Sequence, residues 1–156
     1  MIIQIEPWID NDELEQLKRV IDSTFVTESS LTKEFEDLTK ELTGSKHAIA
    51  MTNGTVAMFC NLKALGIGPG DEVIVPDMTF ISTANSVIMA GAKPVFCDVY
   101  TDTLAIDIEE AKSLITNKTK AICPVHLYGG SADLDKLMDL CNEENLFLIE
   151  DAAQGV

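Results

Sequence analysis

From Lys46 onward, short apolar runs alternate with helix-patterned stretches, and that order leaves few folds open. Glu72-Val73-Ile74-Val75, Pro94-Val95-Phe96-Cys97, Ala121-Ile122-Cys123-Pro124-Val125 and Leu146-Phe147-Leu148-Ile149 read as buried strands, with His47-Ala48-Ile49-Ala50-Met51 as a short strand before them. Helical patterns fall between them, over 56–65, from beyond Thr79 to about Ala90, over 108–115 and over 134–143. Strands separated by helices are joined by right-handed crossovers, which produce a mostly parallel sheet with helices on both faces. The expected fold class is therefore α/β. A sheet whose last strand lies this close to Val156 lacks the helix that would normally follow, so the sequence reads as the front part of a larger, incomplete domain.

The first 45 residues follow a different pattern. Asp10 or Asn11 can cap a helix through about Ser23, with Leu14, Leu17, Val20 and Ile21 on one face. A polar loop covers 24–30. A second helix over 31–42 carries Leu31, Phe35, Leu38 and Leu42 as its stripe, and Gly44 ends it. The expected organisation is an N-terminal helical segment, 1–45, followed by a partial α/β domain, 46–156, with no internal repeat and no low-complexity linker.

Charge narrows the functional classes. Twenty-six acidic against eleven basic residues give a formal net charge of −15, and such a surface repels phosphate backbones. Nucleic acid is thus not an expected partner, and an anionic ligand would need a local site rich in positive charge or N–H groups. Cys60, Cys97, Cys123 and Cys141 show no C-x-x-C spacing and read as buried, reduced thiols. Met1 to Glu6 lacks a basic, then long apolar, leader pattern, and no stretch approaches a membrane span. A soluble cytoplasmic protein with no membrane contact is the expectation. With only His47 and His126 in the chain, no metal cluster can be argued.

The chemistry-bearing residues fall after strands. Asp151 follows the run 146–149, where open α/β sheets bind ligands at strand carboxyl ends. A carboxylate there can pair with a protonated ring nitrogen, as pyridoxal phosphate requires, or it can simply cap a turn or a following helix. The turn Thr52-Asn53-Gly54-Thr55 precedes a helix. Gly54 allows a phosphate to approach free N–H groups and Thr55 offers a hydroxyl, although an ordinary N-cap turn has the same pattern. Phe80, in Pro76-Asp77-Met78-Thr79-Phe80, could stack on a flat ring or fill the core at a helix start. His126 also lies after a strand and reads best as a satisfied structural histidine. Gly66-Ile67-Gly68-Pro69-Gly70 precedes a strand, so it is not a dinucleotide fingerprint.

Taken in order, these motifs are specific. Asn53-Gly54-Thr55, Leu65-Gly66-Ile67-Gly68-Pro69-Gly70-Asp71-Glu72-Val73-Ile74-Val75-Pro76, Thr79-Phe80, Gly91-Ala92-Lys93-Pro94-Val95-Phe96, Lys118-Thr119-Lys120-Ala121-Ile122, Pro124-Val125-His126-Leu127-Tyr128-Gly129 and Glu150-Asp151-Ala152-Ala153-Gln154 follow one another as in a known family. From about Pro7 to Val156 the chain resembles the DegT/DnrJ/EryC1/StrS family of sugar aminotransferases, whose members have the fold type I architecture of pyridoxal phosphate enzymes.

The resemblance implies a pyridoxal 5'-phosphate cofactor. It implies that Gly54 and Thr55 hold its phosphate, that Phe80 stacks on its ring, that Asp151 meets the ring nitrogen, and that Gln154 bonds near the phenolic oxygen. It further implies amino transfer, usually from glutamate as amino-acid donor, to a keto group of a nucleotide-linked sugar in polysaccharide, glycan or antibiotic assembly. It implies a homodimer, or in a split protein a complementing chain. Where family members commonly carry a glycine, this chain has Glu28 or Ser29, which bears on substrate detail. The family's Schiff-base lysine lies downstream of the Glu-Asp-Ala-Ala-Gln motif, so no catalytic residue is assigned in this sequence and the fragment alone is expected to be inactive. Three alternatives stay open: a deoxysugar dehydratase with histidine at the lysine position, a cyclitol aminotransferase, and a non-catalytic fragment acting through cofactor or partner binding.

Overall fold

The computed structural model describes residues 6–27 and 29–155. Glu28, one of the two candidates for the place of the family's glycine, and the first residues of the leader reading lie outside the described residues. The chain divides into two units, Met1–Ala50 and Met51–Val156.

The first unit holds α1 (Asn11–Ser23) and α2 (Ser30–Thr43). Asp10 caps α1 with a reciprocal box, accepting from the Asp12 N–H while the Glu13 carboxylate accepts from its own N–H. Ser29 caps α2, and Gly44 closes it in the left-handed conformation. No residue of either helix is buried, so both apolar stripes are largely open. The strand expected at His47–Met51 is not formed. Its polar groups bond locally instead: the Ala50 N–H donates to Glu36 of α2 at 3.0 Å, and the His47 carbonyl accepts from Ser45. Ile49 is exposed. A strand needs a ladder partner, and none is present for this segment among the described residues.

The second unit contains α3 (Gly54–Ala64), β1 (Glu72–Pro76), α4 (Ser82–Ala90), β2 (Lys93–Cys97), α5 (Ile108–Ser113), β3 (Thr119–Ile122), α6 (Leu134–Glu144) and β4 (Phe147–Leu148). The strands form one parallel sheet in the order β2-β1-β3-β4. Alternation of side chains across the pleat divides the core in two. Val73, Val75, Ala121 and Cys123 pack with Met58 and Leu62 of α3 and Ala84 and Val87 of α4. Ile74, Ile122 and Cys97 pack with Ile108 and Ala111 of α5 and Leu137 and Leu140 of α6. Helices therefore cover both faces, and β1 is buried along its whole length. The run 121–125 stops pairing regularly after Ile122, where Pro124 cannot donate. Val125 rejoins the sheet only through a single bridge to Asp151.

Candidate functional site

Asp151 is fixed by its backbone first. Its N–H donates to the Pro124 carbonyl at 3.0 Å, and its carbonyl accepts from the His126 N–H at 3.1 Å. These bonds carry the parallel pairing of β3 and β4 past the strand ends and set the side chain inward. Asp151 is 9% exposed. Oδ2 accepts from the Thr83 hydroxyl at 2.8 Å, and Oδ1 accepts from the Ala153 N–H at 3.2 Å. Asp151 thus caps its own turn as well as facing the crevice. Thr83 spends its single hydrogen on Asp151, so the hydroxyl of Thr79, 2.9 Å away, is the donor to Thr83. Among the described residues no lysine, arginine or histidine forms an ion pair with Asp151.

Asp151 opens onto a cavity of about 220 Å³ that Phe80, Leu127 and Gln154 also line. Phe80 is 70% exposed, so it does not fill the core. It sits before the first residue of α4, whose buried side is taken by Thr83, Ala84 and Val87. Gln154 accepts the Tyr128 N–H on Oε1 at 2.9 Å.

Gly54 and Thr55 are not part of this cavity lining. They are the first residues of α3 rather than a turn after a sheet strand. Asn53 caps the helix, its Oδ1 accepting from Val56 at 3.0 Å and its carbonyl from Ala57 at 3.1 Å. The Gly54 and Thr55 N–H groups are left without a partner among the described residues, at the positive end of the helix dipole. Residues 65–71 link α3 to β1.

Four contributors were not singled out from sequence. Thr83 had a signal, a second threonine four residues after Thr79 on the helix that leaves the crevice. Glu150 meets His126, Tyr128 adopts a left-handed backbone, and Gly155 packs on His126. These are tertiary pairings without a local pattern. His126 itself is buried with both ring nitrogens bonded. No group of three or more metal-ligating side chains occurs among the described residues, and no helix there is long and apolar enough to cross a membrane.

The buried acid and the open aromatic lie at the carboxyl edge of a parallel α/β sheet, where sheets of this class form their crevices. Residues 7–156 match the model of the DegT/DnrJ/EryC1/StrS aminotransferase family, and the chain belongs to that family. It is 44% identical to GDP-perosamine synthase of Caulobacter vibrioides over 96% of this chain and 41% of that protein. An aminotransferase structure from Psychrobacter cryohalolentis superposes with a TM-score of 0.91 at 42% identity, covering 97% of this chain and 39% of that one. NtdA from Bacillus subtilis, solved with bound cofactor PMP, superposes with a TM-score of 0.88 at 34% identity, covering 100% of this chain and 38% of that one. The chain spans about two fifths of the length of the curated relatives it matches. Its α/β fold matches part of the fold type I aminotransferase structures.

Proposed function

We propose that this chain is the N-terminal part of a pyridoxal phosphate-dependent aminotransferase that moves an amino group, from glutamate, to a keto group of a nucleotide-linked sugar. The observation that carries this reading is the buried carboxylate of Asp151, unpaired by any cation among the described residues, in one cavity with Phe80 and Gln154. A flat, protonated heteroaromatic ring fits that donor set. Asp151 favours the proton at the ring nitrogen, since an opposite charge nearby stabilises the charged form. Thr83 and Ala153 hold the carboxylate in one orientation. Phe80 offers a ring face for stacking. Gly54 and Thr55 offer unpaired N–H groups to a phosphate, and an added Cβ at Gly54 would meet nothing within 4 Å. When bound, the cofactor supplies an electron sink for the carbon attached to the transferred nitrogen.

Membership of the family and likeness to a perosamine synthase and to a PMP-containing structure support the reading. We assign the Schiff-base lysine to sequence downstream of Gln154, the partner to a second copy or a complementing chain, and the compartment to the cytoplasm. Neither the dehydratase nor the cyclitol alternative is favoured by any feature of the described residues.

The test uses the 156-residue chain. Titration with pyridoxamine phosphate is expected to give weak, saturable binding that Asp151→Asn abolishes. Borohydride treatment with pyridoxal phosphate is expected to leave no stoichiometric adduct on one lysine. Absence of saturable binding would overturn the cofactor site, and stoichiometric labelling of a single lysine would overturn its assignment downstream. The intact mass of the native gene product is expected well above 17.0 kDa.

A further inference from the structure

We propose that His126, together with the left-handed backbone at Tyr128, is a positioning device that sets Asp151 and Gln154 for the ligand; this rests on the reading of their cavity as a cofactor site. His126 contacts the 150–155 segment at three separate points. Its backbone N–H donates to the Asp151 carbonyl at 3.1 Å. Its Nδ1 accepts from the Ala132 N–H at 3.3 Å, which leaves the ring proton on Nε2, 3.1 Å from Glu150 Oε2. Its Cβ lies so close to Gly155 that a Cβ added there would stand 2.8 Å away. One buried side chain therefore grips the residue before Asp151 and the residue after Gln154.

Two residues further on, the chain turns through left-handed conformations at Tyr128 (φ 54°) and Gly129 (φ 80°). A non-glycine residue there costs about 1 kcal/mol and persists only where the surroundings hold it. Here the turn aims the Tyr128 N–H at Gln154 Oε1. With Oε1 engaged, the amide NH₂ of Gln154 is what remains for a ligand. The cavity then offers a carboxylate at Asp151 and a donor at Gln154. It selects a planar ligand with a cationic N–H at one edge and an acceptor oxygen at another.

The experiment compares the 156-residue chain with His126→Ala, His126→Gln, Tyr128→Gly and Tyr128→Val. Two readouts are taken: hydrogen exchange at the Tyr128, Asp151 and Ala153 amides, and pyridoxamine phosphate affinity with the absorption band of the bound ligand. His126→Ala is expected to lower protection of those amides tenfold or more, to weaken binding by a similar factor and to shift the band, while β1 amides keep their protection. His126→Gln, which keeps a donor for Glu150, restores part of each. Tyr128→Val, which resists positive φ, binds more weakly than Tyr128→Gly, which is at ease with it. Loss of protection throughout β1 in His126→Ala would reduce the residue to a general stabiliser and overturn the proposal. So would parental binding that is indifferent to His126→Ala, which leaves the cofactor reading intact. A parent chain that fails to bind, while its amides still respond to His126→Ala, overturns the cofactor reading and supports the clamp.

Discussion

Asp151 is held by a hydroxyl brought from another part of the chain, and that choice leaves its charge free for a ligand. Thr83→Val keeps the shape and deletes the donor, so a stability loss of about 1 kcal/mol is expected by thermal melting, with weaker pyridoxamine phosphate binding. Glu72, at the opposite end of β1, shows the contrary arrangement. Thr116 donates to its Oε2 at 2.7 Å and Lys93 to its Oε1 at 3.2 Å, and these contacts hold its carboxyl below the usual range. A carboxyl with a lowered folded-state pKa stabilises the fold above its unfolded value and loses that contribution as pH falls through the folded one. Acid unfolding should therefore be shallower in Glu72→Gln than in the parent across the carboxylate range. Among the thiols, burial pushes Cys97 up to about 12, with Glu110 adding to the shift, and burial alone pushes Cys141 up to about 11. Cys123 is raised further by burial and by the charge of Asp151. Of the four, only Cys60 is even partly open. Alkylation at pH 8 followed by mass spectrometry should mark Cys60 quickly and the other three only on unfolding.

The helices were legible because their signals are local. Asp10, Ser29 and Gly44 stop or start helices within a residue or two of where the sequence places them, since a cap answers N–H or C=O groups of its own first or last turn. Asp107 does the same for the six-residue α5, accepting from Glu109 at 2.9 Å and Glu110 at 3.1 Å. Asp107→Ala should cost about 1 kcal/mol in denaturant unfolding, because so short a helix has little else to start it. The four strands of the sheet were legible from apolar runs, and their two-sided burial follows from Val73 and Ile74 pointing to different cores. His47–Met51 failed as a strand because the same kind of run says nothing about whether a ladder partner exists. Asp151, Phe80 and Gln154 could be read from motif order, and the structure brings those three to one cavity. Thr83, Glu150, Tyr128 and Gly155 could not, because each matters only through a residue far away in sequence.

At the scale of the molecule, apolar surface is left open. Leu14, Leu17, Phe35 and Leu38 on the first two helices are exposed, as are Ile88 and Phe96 on the second unit. Surfaces of this kind favour association, while a net charge of −15 opposes it. Sedimentation of the 156-residue chain should show self-association that grows as added salt screens the charge. The bond from Thr83 to Asp151 has one more consequence. It spans 68 residues of sequence and joins the helix after β1 to the segment after the last strand of the sheet. Contacts that close so long a loop form late in folding, since the chain entropy must be surrendered before the contact exists to offset it. A ligand seated on Asp151 would act as a staple, helping to hold that long loop shut.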